Sequence, residues 1–190
     1  MCGRYQFTAA GAGEGLLRAL APLAGAWQPG DMYPTAMAPV LLEKEGKVAA
    51  AVLRWGFPGK ERAVINARAE TAAQRPMFRD CVGRRRCAVL TTGFYEWDAA
   101  RHRYLFGLPG ARPLCLAGLY DRYDGEDCFV ILTTEPNASV AGVHSRMPLA
   151  LTKEQVRPWL LDDAAALELL AGRPPLLEKT SADGQLSFLE

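Results

Sequence analysis

The sequence has no C-x-x-C pair and only two histidines, His102 and His144. Its five cysteines are widely spaced and odd in number. Zinc fingers need clustered ligands and disulfide frameworks need paired cysteines, so both classes fit poorly. We therefore expect no metal and no cofactor, and we expect four of the cysteines to be small buried apolar residues.

Long apolar runs are also missing. No uncharged apolar stretch reaches the roughly 18 residues that suggest a membrane span. The first residues, Met-Cys-Gly-Arg-Tyr, lack the charged leader and apolar core typical of a signal peptide. These absences predict a cytoplasmic protein with no membrane partner.

The composition is that of one globular domain. The chain has 190 residues, of which 49% are hydrophobic and 23% charged. Strand-length apolar runs bounded by turn residues predict a mostly antiparallel β-sandwich or partly closed barrel. These runs cover residues 47–57, 63–67, 86–95, 103–108, 114–120 and 128–134.

The remaining segments predict short helices and loops. Residues 11–21 and 162–170 have helical patterns, and Thr152 with Gln155 forms a capping-box sequence. Residues 22–40 hold four prolines, which predicts a loop. We predict a domain over residues 1–172 and a flexible tail over 173–190.

Positive charge is concentrated in one part of the chain. The net charge is only +1, but from Arg54 to Arg86 there are nine basic residues against three acidic ones. Most of the 22 basic residues in the chain are arginines, which bind phosphate through two parallel hydrogen bonds and stack on bases. A solvated face is the usual fate of such a run, yet the local excess makes a polyanionic partner worth testing.

Cys2 is the most reactive candidate. Removal of Met1, which is expected before a small residue, leaves a free α-amine and a thiol on adjacent carbons. The amine, with a pKa near 8, can attack an aldehyde, and the thiol can then close a five-membered thiazolidine. The plainer interpretation is a cysteine that merely packs.

Three further side chains could support this chemistry. Asn66 follows a strand-like run, and its amide could orient an amine or a carbonyl. Glu96 lies between two aromatic residues, where partial desolvation would raise its pKa and suit it to proton transfer. His144 could act as acid, base or electrostatic stabiliser. A strand end, an exposed carboxylate and a structural histidine are the respective alternatives.

Five motifs in the same order resemble the SOS response-associated peptidase (SRAP) family, and the resemblance covers about residues 1–160. They are Met-Cys-Gly-Arg-Tyr at the start, Arg-Trp-Gly at 54–56, Asn-Ala-Arg-Ala-Glu-Thr at 66–71, Gly-Phe-Tyr-Glu-Trp at 93–97 and His-Ser-Arg-Met-Pro at 144–148.

The resemblance implies a single α/β (α+β) domain with a mostly antiparallel, barrel-like core and peripheral short helices. It implies binding of single-stranded DNA and a thiazolidine crosslink between Cys2 and an abasic site, which shields the lesion in the DNA damage response. A weak lyase activity and self-removal of residues ahead of the cysteine are also implied. Asn66, Glu96 and His144 match the catalytic residues of the family.

The resemblance also assigns DNA contacts. The matching residues are Arg4, Trp55, Arg68 and Arg146, with the basic run 84–86 as a less certain contact. The chain departs from the family in its early loop, where the common Asn-Ala-Pro is missing and Pro34 takes the position of the proline. The connection between Trp55 and Asn66 is also short.

The resemblance leads us to expect a monomer in a bacterial host, associated with the nucleoid when bound to DNA. Residues 185–189, Gln-Leu-Ser-Phe-Leu, resemble the short peptide that docks bacterial proteins on the sliding clamp, although a disordered end is the favoured interpretation. We therefore predict at most a weak clamp contact through the tail.

Three rival functions remain open. An N-terminal-nucleophile glutamine amidotransferase also begins Met-Cys-Gly, but its Asn-Gly motif is absent. A non-covalent DNA-binding module would bind in a salt-sensitive way without Cys2. A dedicated protease could pair Cys2 with His144, but no substrate pocket is evident from the sequence.

Overall fold

A computed structural model describes residues 2–9, 12–111 and 113–182. Its β-strands, in chain order, are β1 (Tyr5–Phe7), β2 (Gly30–Met32), β3 (Met37–Lys44), β4 (Lys47–Trp55), β5 (Asn66–Arg68), β6 (Arg86–Thr91), β7 (Gly93–Trp97), β8 (Arg103–Gly107), β9 (Leu114–Tyr123), β10 (Glu126–Thr134), β11 (Met147–Pro148), β12 (Ala150–Leu151) and β13 (Glu178–Ser181).

Five strands close into a barrel. The order β4-β3-β6-β9-β10 is antiparallel at every step, and β10 then pairs in parallel with β4 to complete the ring. Closure leaves no free edge within the ring. Beyond the end of β4, the short strand β5 continues the parallel pairing with β10, so that Asn66 lies opposite Ile131.

A second sheet grows out of the barrel. The chain passes almost without interruption from β6 into β7, and β7 belongs to the sheet β13-β8-β7-β1-β2. The N-terminal strand β1 lies antiparallel to β7, with Tyr5 opposite Phe94. Because β1 and β7 run in opposite directions, the residues that precede Tyr5 lie alongside Tyr95 and Glu96, which follow Phe94.

Short helices cover the outside. They are α1 (Glu14–Leu20), α2 (Ala69–Ala72), α3 (Arg79–Arg84), α4 (Lys153–Leu161) and α5 (Asp163–Ala171). Thr152 and Gln155 form the reciprocal capping box that starts α4. Among the helices in the described part of the chain, none has the length and apolarity needed to cross a membrane.

The core is apolar and rich in aromatic residues. The fully buried large side chains include Trp55, Trp159, Phe94, Phe106 and Phe129. Each buried side chain of this size contributes about 1.5–3 kcal/mol relative to exposure, so they dominate the stability of the fold. All five cysteines are buried and unpaired, as the sequence analysis expected for four of them.

The predicted fold class is confirmed, with corrections at two places. Residues 22–40 are not one loop, because they contain β2 and the start of β3. Residues 178–181, inside the predicted tail, pair with β8. The ordered chain therefore extends at least to residue 182, while residues 183–190, with the clamp-like peptide, lie outside the described residues.

Candidate active site

Four predicted catalytic residues meet where the second sheet leaves the barrel. Cys2 precedes β1, and Glu96 lies on the neighbouring strand β7. Asn66 begins β5, and His144 precedes β11. Both β5 and β11 pair with the end of β10. The strand β10 therefore places Asn66 and His144 beside Cys2 and Glu96.

Cys2 is held by its backbone. The Asn66 side-chain Nδ2 donates a hydrogen bond to the Cys2 carbonyl oxygen at 2.9 Å. The Cys2 thiol is fully buried and directs its proton to the Arg4 carbonyl oxygen at 3.6 Å. The Asn66 Oδ1 atom is also buried and accepts no hydrogen bond from the residues that the structure describes. A buried acceptor beside Cys2 suits the N–H of an amine.

Glu96 is a carboxyl group that titrates near neutrality. Its side chain is only 3% exposed, and this desolvation raises its pKa from 4.5 to about 7. The Glu96 charge and, above all, burial raise the pKa of the Cys2 thiol well beyond its ordinary value. The site therefore combines a protonated thiol with a carboxyl group able to give and take a proton at neutral pH.

The His144 ring faces Glu96 in a defined orientation. Its Nδ1 lies 3.0 Å from the Arg146 backbone nitrogen and 3.1 Å from the Arg146 carbonyl oxygen, and its Nε2 lies 3.9 Å from Glu96 Oε2. In the tautomer in which Nδ1 accepts from the Arg146 N–H, the neutral ring carries its proton on Nε2, the nitrogen nearest Glu96. Desolvation lowers the pKa of His144, which favours this neutral form.

Arg146 is anchored by an acidic residue. Its guanidinium donates to both carboxylate oxygens of Glu70 at 2.8 Å and to the Thr133 carbonyl oxygen at 2.6 Å. The pair lowers the pKa of Glu70. Because the same residue holds the His144 ring through its backbone, Glu70 is tied to the orientation of His144. Glu70 lies within the Asn-Ala-Arg-Ala-Glu-Thr motif, but no local pattern in the sequence indicates this role.

The predicted DNA contacts divide into accessible and inaccessible side chains. Pro34 and Arg68 are exposed. Arg4 is partly exposed and forms an ion pair with Asp31. Trp55 is completely buried, so its ring is not available for stacking on a base in this structure.

Trp55 instead has a structural position. Its ring centroid lies 5.0 Å from that of Tyr5 and 6.4 Å from that of Phe129. Its Nε1 donates to the Ile65 carbonyl oxygen at 3.0 Å, one residue before Asn66. Trp55 therefore holds the backbone next to Asn66 in place from within the core.

The basic run 84–86 is mostly engaged within the protein. Arg85 pairs with Asp121, and Arg86 is buried. Only Arg84 among the three is exposed. In the described ranges 2–9, 12–111 and 113–182, no three His, Cys, Asp or Glu side chains are grouped to hold a metal ion.

The family model described as SOS response associated peptidase (SRAP) matches residues 1–182. The chain therefore belongs to the SRAP family. Two solved structures from Bordetella bronchiseptica have the same fold. One has a TM-score of 0.78 at 24% identity and covers 95% of this chain and 99% of its own. The other, a phage-related protein, has a TM-score of 0.74 at 27% identity, with 95% and 94% covered.

Curated relatives are named abasic site processing proteins. YoqW of Bacillus subtilis is 33% identical over 124 residues, covering 57% of this chain and 55% of YoqW. YedK of Escherichia coli is 28% identical over 140 residues, covering 68% and 63%. HMCES of Xenopus tropicalis is 27% identical over 148 residues, covering 58% and 44%. The chain thus spans about half the length of the curated relatives it matches.

Proposed function

We propose that this protein binds abasic sites in single-stranded DNA and bonds to them covalently through Cys2, once Cys2 is the N-terminal residue. The observation that carries the proposal is the hydrogen bond from Asn66 to Cys2, beside a buried carboxyl group whose pKa is about 7. The relatives YoqW and YedK are named abasic site processing proteins, which supports the same substrate.

The reaction forms two bonds at the aldehyde carbon of the opened sugar. The Cys2 amine adds to that carbon, and the resulting hydroxyl group leaves as water to give an imine. The Cys2 Sγ then adds to the imine carbon, and its proton moves to the nitrogen. The balance is aldehyde plus aminothiol giving thiazolidine plus one water, with no oxidant or reductant required.

Glu96 and its neighbours serve the proton transfers. Protonated Glu96 gives a proton to the departing hydroxyl group and, as the carboxylate, accepts one from the thiol. The free Oδ1 of Asn66 accepts from the attacking amine. The His144 Nε2–H stabilises the sugar oxygen after ring opening and assists reversal.

The same site could support two weaker activities. Elimination from the imine would cut the DNA strand, which gives a lyase side activity. The description of the family as a peptidase favours a second candidate, in which the same site removes residues ahead of Cys2. Intact mass before and after incubation of a Cys2→Ala variant tests that candidate, because self-processing requires the thiol.

The wider setting follows from the same chemistry. We propose action as a monomer in the DNA damage (SOS) response on nucleoid DNA. A crosslinked lesion is shielded from cleavage. Any contact of the tail with the sliding clamp would be tested by deleting residues 185–190 and measuring clamp binding.

The direct test is a denaturing gel of the protein with a single-stranded oligonucleotide that carries one abasic site. We expect a heat-stable adduct from the wild type and none from Cys2→Ala. Cys115→Ala is the matched control, because Cys115 is also buried but lies on β9. Intact mass must first establish that Met1 is absent. A Met1-free protein that gives no adduct would contradict the proposal.

A second variant separates the two bond-forming steps. Cys2→Ser keeps the amine but replaces the thiol, so it should form an imine that borohydride traps. The wild-type adduct should persist without borohydride. Equal, trap-dependent yields from both proteins would show that the thiol takes no part, while salt-sensitive binding without any adduct would favour the non-covalent DNA-binding function.

The pH dependence of adduct formation tests the role of Glu96. The amine must lose its proton, with a pKa near 8, while dehydration requires protonated Glu96, with a pKa of about 7. The initial rate should therefore rise and then fall, with its maximum between these values. In Glu96→Gln the falling limb should disappear and the rate should drop about a hundredfold or more.

A further inference from the structure

Two tyrosines and two arginines alternate along the outer face of the second sheet in the order Tyr33, Arg4, Tyr95 and Arg103. We call this row of side chains the ladder. Residues alternate along β7, so Phe94 and Glu96 face the barrel and Tyr95 faces outward. The Arg4 guanidinium lies 4.7 Å from the Tyr95 ring centroid and 5.1 Å from that of Tyr33. Arg103 lies over the Tyr95 ring at 5.6 Å.

Tyr33 is the open end of this ladder. Half of its surface is exposed, whereas Tyr95 is buried between its neighbours. The ring is well supported, because Arg4 is itself fixed by Asp31 and because the Thr35 N–H, two residues on, donates to the Trp55 carbonyl oxygen at 2.8 Å. A fixed, half-exposed aromatic ring is a ready stacking surface for a base.

The ladder lies close to the proposed covalent site, although Tyr95 and Glu96 project from opposite faces of β7. Arg4 lies two residues from Cys2, a distance of at most about 7 Å along an extended chain. Tyr95 is adjacent to Glu96 in sequence, and its N–H donates to the Arg4 carbonyl oxygen at 2.9 Å. A strand with its lesion at Cys2 would thus meet the ladder with a neighbouring nucleotide.

We propose that Tyr33, backed by Arg4 and Tyr95, is a stacking platform for a base that flanks the abasic site in single-stranded DNA. The ladder carries two arginines against one aspartate, which favours a polyanion. Stacking is tolerant of sequence because every base has an aromatic face. The platform therefore provides affinity without base preference. This proposal rests on the proposed function and names the surface that holds its substrate.

Binding of a fluorescent, lesion-free single-stranded oligonucleotide tests the platform by anisotropy. The Cys2→Ala background removes any covalent contribution. Tyr33→Leu should weaken binding about tenfold, because it keeps an apolar side chain but loses the ring. Tyr33→Phe is the matched control and should bind like the parent. Thermal melts of both variants establish that the exposed position tolerates the change.

Salt dependence distinguishes stacking from charge. Loss of a stacking partner should lower affinity equally at low and high salt, leaving the salt slope unchanged. Affinity unaffected by Tyr33→Leu, or lowered equally by Tyr33→Phe, would overturn the platform. If those variants still form the wild-type adduct on abasic DNA, the proposed function stands. If the parent binds no single strand at all, the platform falls together with the proposed mode of DNA binding.

Discussion

Arg86 and Glu96 are both buried, at the two ends of the nearly continuous stretch formed by β6 and β7. Arg86 is neutralised and fully bonded: its guanidinium donates to the Trp159 and Val82 carbonyl oxygens at 2.6 and 2.8 Å and pairs with Asp163 at 2.8 Å. Glu96 instead responds to burial with a pKa of about 7.

The difference separates a structural charge from a chemical one. A buried cation with three well-placed acceptors locks helices onto a barrel and has no reason to change its protonation. A buried carboxyl group whose ionisation is opposed by desolvation remains ready to exchange a proton near neutral pH. Burial alone therefore does not identify a functional residue.

The largest expected effect comes from removing the structural charge. Arg86→Met should lower the free energy of unfolding by about 3–5 kcal/mol, because it leaves buried carbonyl oxygens without donors. Chemical denaturation measures this change. Arg84→Met, on the exposed neighbour, is the control and should stay within about 0.5 kcal/mol of wild type. If Arg86→Met lowered the free energy of unfolding no more than Arg84→Met does, Arg86 would not be the structural charge described above.

A smaller and opposite effect is expected at Glu96. The folded protein keeps this proton up to about pH 7, whereas the unfolded chain releases it near 4.5, so stability falls as pH rises between these values. Glu96→Gln carries no ionisable group there. It should therefore be about 3 kcal/mol more stable than wild type at pH 8.

The pH dependence provides the control for this prediction. At pH 4 the wild-type carboxyl group is mostly protonated in both the folded and the unfolded state, so the difference between the two proteins should nearly vanish. Denaturant titrations at the two pH values measure both. A Gln variant that is less stable at pH 8 would show that the carboxylate is stabilising, contrary to the direction of its pKa.

The smallest effect is expected at Glu70, whose ion pair with Arg146 connects a surface carboxylate to the residue that contacts His144. Glu70→Gln should cost about 1 kcal/mol or less, because the carboxylate is partly exposed. Adduct formation should slow several-fold as Arg146 and His144 lose their fixed orientation. The paired carboxylate has a lowered pKa, so its stabilisation is present at neutral pH and lost as pH falls below its ordinary range.

Glu135→Gln is the matched control for Glu70. This acidic residue is exposed near the same edge of β10 but makes no described ion pair. It should leave both the stability and the rate of adduct formation unchanged. A rate loss in Glu70→Gln with a wild-type pH profile would indicate a merely structural role rather than positioning of His144.

The sequence predicted the strands well where apolar runs were uninterrupted. The predicted run 114–120 lies within β9, and 47–57 contains β4. Prolines hid β3, because Pro39 lies inside it. The pairing explains this exception: Pro39 is opposite Val52 on β4, while the pairing of β3 with β6 begins only at Val40. Pro39 thus occupies a position where a missing N–H is tolerated.

For the candidate site, the sequence indicated the reactive residues but not the contacts that hold them. Cys2, Asn66, Glu96 and His144 carry reactive groups within recognisable motifs, and the structure brings them together. Trp55 is buried in the core, the alternative to a DNA contact, because an aromatic residue beside an arginine has the same sequence pattern whether it is buried or exposed. Contacts that join distant segments, such as Glu70 with Arg146 or Tyr33 with Arg4, have no local signal in the sequence.

Burial of Cys2 has a further consequence for the durability of the protein. Oxidation and alkylation proceed through the thiolate, and each of the five cysteines has a raised pKa. Peroxides and disulfides should therefore attack the resting protein slowly. Under the proposed function, Cys2 would stay reduced until the aldehyde carbon of an abasic site is held against its sulfur.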